Sequence, residues 1–287
     1  MSVIDIEHLR SWVGREQRAQ AVLSPFPARA LAAAIDSPRA MEEGGVLPVG
    51  WQWLYFLDTP SAAGTGEDGH MSKGGFLPPI PLPRRMWASG TQEITRPLRL
   101  GLAAEKVSRV HGIELKEGRS GALVFVSLEH TLSQAGTVCI REQQQLVYRA
   151  APTAAAPLPQ GEIASRTADW SRTFKADPIL LFRFSALTYN AHRIHYDRDY
   201  AMHQELYPGL VVHAPLLVIL LLDVLTRHVP EADMRSVRFR AIRPTFESAE
   251  VSLQAQQLGN EIHLWSSDQD GYVGVSATAQ LNTVRSS

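Results

Sequence analysis

The sequence predicts an α+β protein built twice on one plan, a curved antiparallel sheet wrapped around a mostly buried helix. Three observations predict it. Residues 90–148 and 236–281 carry alternating or β-branched runs divided by glycine-bearing turns, the pattern of antiparallel strands. Helix-start signals precede both runs: Ser24-Pro25 in the first half, and Asp177-Pro178 and Ala214-Pro215 in the second. Between the halves, the stretch AAPTAAAPLPQGEIASRTA (150–168) is rich in alanine and proline and poor in large apolar groups, which suits a linker. The expected organisation is residues 1–150, a linker at 151–168, and residues 169–287. A chain of 287 residues is long enough for two such units.

Taken in order, residues 5–20 have mixed helical character, and a helix is expected from Ser24 to Ala34, stopped by Ser37-Pro38. From Asp58 to Pro83 glycine and proline exclude regular helix or central strand. The flanks Trp51, Trp53, Tyr55 and Phe56 on one side and Met86 and Trp87 on the other predict an ordered loop, and long irregular segments of compact chains are usually functional or disordered. Strands are expected at TQEITRPL, AEKVSRVHGIELK, SGALVFVSLEHTLS and GTVCIREQQQLVYR. In the second half, helices at ILLFRFSAL and LLVILLLDVLTRH precede strands SVRFRAI, AEVSLQAQQL, NEIHLWSSD and YVGVSATAQL.

Composition excludes several classes of partner. A net charge of −1 lacks the basic excess of a nucleic-acid binder. The single cysteine, Cys139, excludes an intrachain disulfide framework and fits a reducing compartment, so a cytoplasmic location is expected. The N-terminus lacks the basic-then-apolar order of a signal peptide, and the apolar run Ala214–Leu222 is too short to span a bilayer.

The richest stretch is Asp177–Leu225. Five of the ten histidines fall between residues 192 and 228, and Asn190, His192 and His195 stand just upstream of the apolar helix. Groups that titrate near neutral pH beside a buried helix are what acid–base chemistry requires. His192 and His195, with Asp197 and Asp199, also have a spacing open to a metal reading. No HExxH pattern or cysteine pair supports it, and none is expected.

Asn190-Ala191-His192-Arg193-Ile194-His195, followed by His213-Ala214-Pro215, resembles the catalytic loop and helix opening of MaoC-like hydratases and dehydratases of the hotdog superfamily. Their loop reads roughly Asp-x-Asn-Pro-x-His, and their helix commonly opens with His-Gly. Four longer phrases are similar to two-hotdog hydratases acting on mesaconyl-C4-CoA and itaconyl-CoA, and to fungal mitochondrial 3-hydroxyacyl-thioester dehydratases. They are GGFLPPIPLPRRMWASG, GRSGALVFVSLEH, FSALTYNAHRIHYDRDYA and YPGLVVHAPL.

The resemblance implies a double hotdog, with a degenerate N-terminal unit that binds substrate or CoA and a C-terminal unit that carries the catalytic loop. It implies hydration of a short dicarboxylic enoyl-CoA to citramalyl-CoA, with no cofactor beyond the CoA of the substrate, in a homodimer. His195 is then the principal acid–base candidate. Asn190 stands where relatives have aspartate, so it orients water but cannot act as a carboxylate base. The backbone N–H of Ala214 is the candidate donor to the thioester oxygen.

The substrate's free carboxylate calls for arginine. Arg193 is the first candidate, followed by Arg183, Arg84 and Arg85, with Tyr189 and His213 also expected at the substrate. A histidine capping a buried helix, as His213 does, is more often structural than catalytic, while Tyr196 and Asp197 orient the loop. The loop of His70 and Lys73 covers the site, binds CoA phosphates, or simply packs between the units. Two alternatives stand beside this reading, a dehydratase of fatty 3-hydroxyacyl thioesters and a hotdog protein that binds acyl-CoA without turnover.

Overall fold

The computed structural model describes residues 4–118, 121–152, 154, 158, 161–247 and 249–282. The first half contains α1 (Ile6–Arg10), β1 (Glu16–Val22), α2 (Pro25–Ala34), β2 (Arg84–Ile94), β3 (Ala103–Gly118), β4 (Gly121–Gln134) and β5 (Thr137–Arg149). The second contains β6 (Trp170–Lys175), α3 (Pro178–Leu187), α4 (Arg198–His203), α5 (Ala214–His228), β7 (Met234–Ala241), β8 (Glu250–Leu258), β9 (Glu261–Ser267) and β10 (Val273–Leu281). The predicted linker at 151–168 falls partly outside the described residues.

The strands form one antiparallel sheet in the order β1-β3-β4-β5-β2-β7-β10-β9-β8-β6. The two expected sheets are thus halves of a single sheet, joined where β2 pairs with β7, Gly90 opposite Phe239 and Gln92 opposite Val237. Side chains crowd this seam. The Trp87 and Phe239 rings stack at 4.6 Å, and a Cβ on Gly90 would come within 2.5 Å of the Phe239 ring and of the Gln143 carbonyl.

Two strands differ from expectation. The helical character expected over residues 5–20 gives way to strand β1 from Glu16, and WSRTFK, which carries no strand signal in sequence, is β6. Both are edge strands, so only one side of each is paired and neither carries a full apolar face. Pairing with β3 overrides the helical propensity of β1. β2 begins at Arg84, immediately after the prolines and several residues before the expected strand.

Helix α5 is the centre of the second half. Every residue from Leu216 to Leu225 is buried. It packs against β6, β8, β9 and β10. Its one buried charge, Asp223, accepts from Arg172 at 3.0 Å, Arg227 at 2.5 Å and the Ser37 hydroxyl at 3.0 Å. Arg172 also donates to the Ile35 carbonyl, so the buried carboxylate is fully partnered and locks α5 to the end of α2.

The first half has no equivalent of α5, since α2 is ten residues long and packs against α3. Its apolar residues divide between two clusters, with Leu128 in one and Leu132 in the other. A cavity lies between them.

Candidate active site

Helix α3 delivers the loop that carries the histidines. Asp177 caps its start by accepting from the Leu180 N–H at 2.8 Å. At its end Tyr189 takes a left-handed φ of 50°, and the Asn190 N–H bonds back to the Ser185 carbonyl. Glycine is the usual residue in such a turn, so a bulky tyrosine there is strained. The turn presents Tyr189, 56 % exposed, at the cavity wall.

Asn190 Oδ1 then accepts from the His192 N–H at 3.0 Å, which shapes the loop and leaves the amide NH2 as its donor. His195 closes a short 3-10 turn and is buried, with Nδ1 at 2.7 Å from the Val211 carbonyl. A carbonyl only accepts, so Nδ1 carries the proton and Nε2 is the basic nitrogen. Burial pushes the His195 imidazole down to about 4, only partly opposed by that hydrogen bond.

His213, at the N-cap of α5, stacks on His195 with ring centres 3.6 Å apart, and its Nε2 lies 2.9 Å from the Ser185 hydroxyl. Burial, with His195 and His192 beside it, pushes His213 well below the ordinary value. Ala214 is the first residue of α5, where a backbone N–H precedes the intrahelical ladder and the positive helix end favours a developing oxyanion. His213, Ala214 and Pro215 all line the cavity.

The glycine-rich loop of the first half completes the wall. The Thr65–Met71 bridge and the Gly66 N–H to His70 carbonyl bond pin it as an ordered turn. Its tip docks directly on the histidine loop: the Arg193 N–H donates to the Asp68 carbonyl at 2.9 Å, and a Cβ on Gly69 would stand 1.7 Å from the Ala191 carbonyl oxygen. With φ at +86°, that position requires glycine twice over.

The docking brings His70 against His192, ring centres 4.0 Å apart. Asp68 accepts from the His70 backbone N–H at 3.0 Å and from its Nδ1 at 3.0 Å. Burial opposes the Asp68 charge, but the bonds and charge of His70 outweigh it and hold the carboxyl well below its usual range. Burial and the Arg85 charge lower His70, with Asp68 opposing; burial and neighbouring His70 lower His192. The ligand atoms of Asp68, His70 and His192 lie within 4.8 Å of one another, close enough for a cation, but both Asp68 oxygens are occupied by His70.

The cavity has a volume of about 1170 Å³. Of the candidate arginines, only Arg85 lines it. Arg84, its neighbour on β2, points to the opposite side, where it is buried in an ion pair with Glu205 and lies over the Tyr207 ring. Arg193 pairs with Asp197 at 2.7 Å and covers Tyr200, while Arg183 is exposed on α3. Tyr196 donates to the Ala191 carbonyl and Asp197 caps α4, so both shape the loop. Lys73 donates to the Ile80 and Leu82 carbonyls, holding the proline segment.

Sequence reasoning missed Asp68 and a second polar group in the cavity wall, Lys106, His130, Glu142 and Gln144. Glu142 accepts from Trp53 Nε1 at 2.9 Å and from Gln144 at 2.7 Å, and His130 Nδ1 lies 2.8 Å from the Ser108 hydroxyl. A signal was present. His130 falls in phase with Val124, Val126, Leu128 and Leu132 on β4, so a polar residue occupies the buried face of an otherwise apolar register. Asp68-Gly69-His70 reads as an Asx turn, but nothing in sequence brings it to His192.

Comparison with known proteins decides the family. The hydroxyacyl-thioester dehydratase type 2 profile matches residues 50–247. The chain belongs to that family. It is 42 % identical over 273 residues, 94 % of this chain and 97 % of the other, to the mesaconyl-C(4)-CoA hydratase of Chloroflexus aurantiacus. It is 26 % identical over 248 residues, 76 % of this chain and 80 % of the other, to the mitochondrial hydroxyacyl-thioester dehydratase type 2 of Schizosaccharomyces pombe.

Solved structures agree in fold. A MaoC-like dehydratase superposes with a TM-score of 0.70 at 12 % identity, over 95 % of this chain and 99 % of the other. A Mycobacterium tuberculosis protein with a double hotdog fold does so with a TM-score of 0.59 at 13 % identity, over 94 % and 96 %. The family member described here is therefore a double-hotdog hydro-lyase of the thioester hydratase type. Among its described residues no helix is long and apolar enough to cross a membrane.

Proposed function

We propose that this enzyme hydrates a short dicarboxylic enoyl-CoA of the mesaconyl-C4 or itaconyl type, giving citramalyl-CoA, in the breakdown of C5 dicarboxylates. The observation that carries the reading is Arg85, a cavity-lining cation whose charge is felt by both His70 and His192. A carboxylate bound there would hold the reacting double bond near the imidazoles. The 42 % identical hydratase from Chloroflexus supports the same class of substrate.

In this reading the thioester oxygen takes the Ala214 N–H, which stabilises the enolate as water adds to the β-carbon. His195, through Nε2, and the Asn190 amide hold and polarise that water. An imidazole of the cluster takes the water's proton and returns it to the α-carbon, so that one water is added and no group changes charge overall. Tyr189 and His213, which both line the cavity, border the acyl group in this reading. The reaction calls for no metal and no cofactor beyond the CoA of the substrate.

A second reading, dehydration of fatty 3-hydroxyacyl thioesters, is favoured by the size of the cavity and by Trp53, Trp87, Leu128 and Leu132 in its wall. A panel of mesaconyl-C4-, itaconyl-, crotonyl- and longer enoyl-CoA, followed by loss of enoyl absorbance, separates the two. Wild type is expected to prefer the dicarboxylic substrates, and Arg85→Gln to raise their KM at least about tenfold while crotonyl-CoA changes little. Preference for long chains, unaffected by Arg85→Gln, establishes the second reading instead.

A further inference from the structure

The loop of the second half lacks the carboxylate that its resemblance to other hydratases leads one to expect, because position 190 is asparagine and Asn190 Oδ1 is engaged by the His192 N–H. A carboxylate reaches the cluster nonetheless, from the other half of the chain. Asp68 is hydrogen-bonded at both oxygens to His70, and its turn is fixed on the histidine loop by the Arg193 N–H and by the close approach of Gly69 to Ala191.

The cavity imidazoles have different second partners. His195 Nδ1 donates to the neutral Val211 carbonyl, and His213 Nε2 meets the Ser185 hydroxyl. Among the described residues only His70, of the four imidazoles at this end of the cavity, is hydrogen-bonded to a carboxylate. A base that takes a proton becomes a cation, and a carboxylate on its far nitrogen stabilises that cation where a carbonyl or hydroxyl does much less.

We propose that His70, held by Asp68, is the acid–base residue of this site and that Asp68 is its positioning residue. The inference rests on the hydratase reading above. Water gives a proton to His70 Nε2 as its oxygen bonds to the β-carbon, and the π electrons pass to the thioester oxygen. The imidazolium, paired with Asp68, then returns the proton to the α-carbon as the carbonyl re-forms. His195 holds the water through Nε2 and takes no part in the proton transfer. The charged and titratable groups facing His70 are Asp68 and Lys73 on its own loop, Arg85 on β2, and His192 and His195 on the histidine loop. Of these, only Asp68 favours the imidazolium.

The test compares wild type, His70→Gln, Asp68→Asn and Asp68→Glu on the enoyl-CoA that wild type hydrates fastest. His70→Gln is expected to lower kcat roughly 100-fold or more, with KM changed less than about threefold. Asp68→Asn is expected to lower kcat about tenfold and move the acid limb of the kcat profile to lower pH, because His70 loses the charge that raises its pKa. Asp68→Glu should restore part of both.

Nitrogen-15 NMR of the histidines reads the same dyad without turnover, showing His70 as the Nδ1–H tautomer with a pKa that falls in Asp68→Asn. Near-normal kcat in His70→Gln, an unmoved limb, or an Nε2–H tautomer overturns the proposal. So does activity that is lost to a chelator and restored by a divalent cation. A wild type that hydrates no enoyl-CoA but shows the tautomer and the pKa shift defeats the hydratase reading and leaves the Asp68–His70 dyad standing.

Discussion

The two halves of the sheet are built alike and filled differently. In the second half a fifteen-residue helix, α5, packs on β6, β8, β9 and β10, and only its first turn reaches the cavity. In the first half no helix of that length lies on the sheet, since the ten-residue α2 packs against α3, and polar His130 and Glu142 stand where the register calls for apolar packing. The difference shows how a duplicated architecture divides labour. One half supplies rigidity, the helix start and a strained loop; the other gives up part of its core and so supplies much of the cavity wall, Arg85 and the glycine turn. Neither half holds a complete site.

Four experiments break or sharpen this contrast, from the largest expected effect to the smallest. His195→Gln, in the rigid half, should lower kcat roughly 100-fold by misplacing the attacking water, with the thermal transition nearly unchanged, and a fall of less than tenfold would show that His195 does not hold that water. Core truncation should then distinguish the halves. Leu220→Ala, at a fully buried α5 position, is expected to cost about 2–5 kcal/mol in denaturant unfolding, and Leu128→Ala at the cavity wall clearly less, because one removed side chain merely enlarges an existing space. Equal costs would mean that the first half is as tightly packed as the second.

Acid should unfold the rigid half's site first. His195 is held down to about 4 in the folded chain against an ordinary 6.5, so the unfolded chain binds the proton more readily. The stability this contributes is fully present above pH 6.5 and is lost as pH falls towards 4, about 3 kcal/mol in all. His213, lowered by burial, acts in the same sense. The unfolding free energy of His195→Gln should therefore fall less than that of wild type between pH 7 and 5. Last, Gly69→Ala must separate the glycine turn from Ala191. About a hundredfold loss in kcat/KM is expected together with a lower Tm, since the added Cβ meets both a backbone clash and a strained φ, and a displacement near 1 Å suffices for such a loss.

Most of the fold was legible because its elements repeat a local period. The helix over 25–34, the capped helix after Asp177, the apolar helix after Ala214 and the inner strands carry their own start signals and alternation. β1 and β6 escaped because an edge strand buries too little to impose alternation. The site was legible on one side only. Asn190, His192, His195, His213 and Ala214 lie within 25 residues of one another and converge, whereas the arginines could not be ranked. Arg84 and Arg85 differ by one position on β2, and the pleat alone sends the second to the cavity and the first to Glu205. Arg193 lies in the histidine loop itself, yet Asp197, four residues on, takes up its charge.

What the sequence by itself determined are the properties encoded over a few residues: the order of most helices and strands, the burial of α5, and the loop's histidine spacing. These follow from periodicity, capping and turn chemistry, which act locally. Only the tertiary structure decided which side chains share the cavity. The contacts of Asp68 and His70 with a loop more than 100 residues later, the choice of Arg85, and the joining of two half-sheets through β2 and β7 depend on pairings distant in sequence. No local preference specifies such pairings, because their free energy appears only when both halves of the chain have folded together.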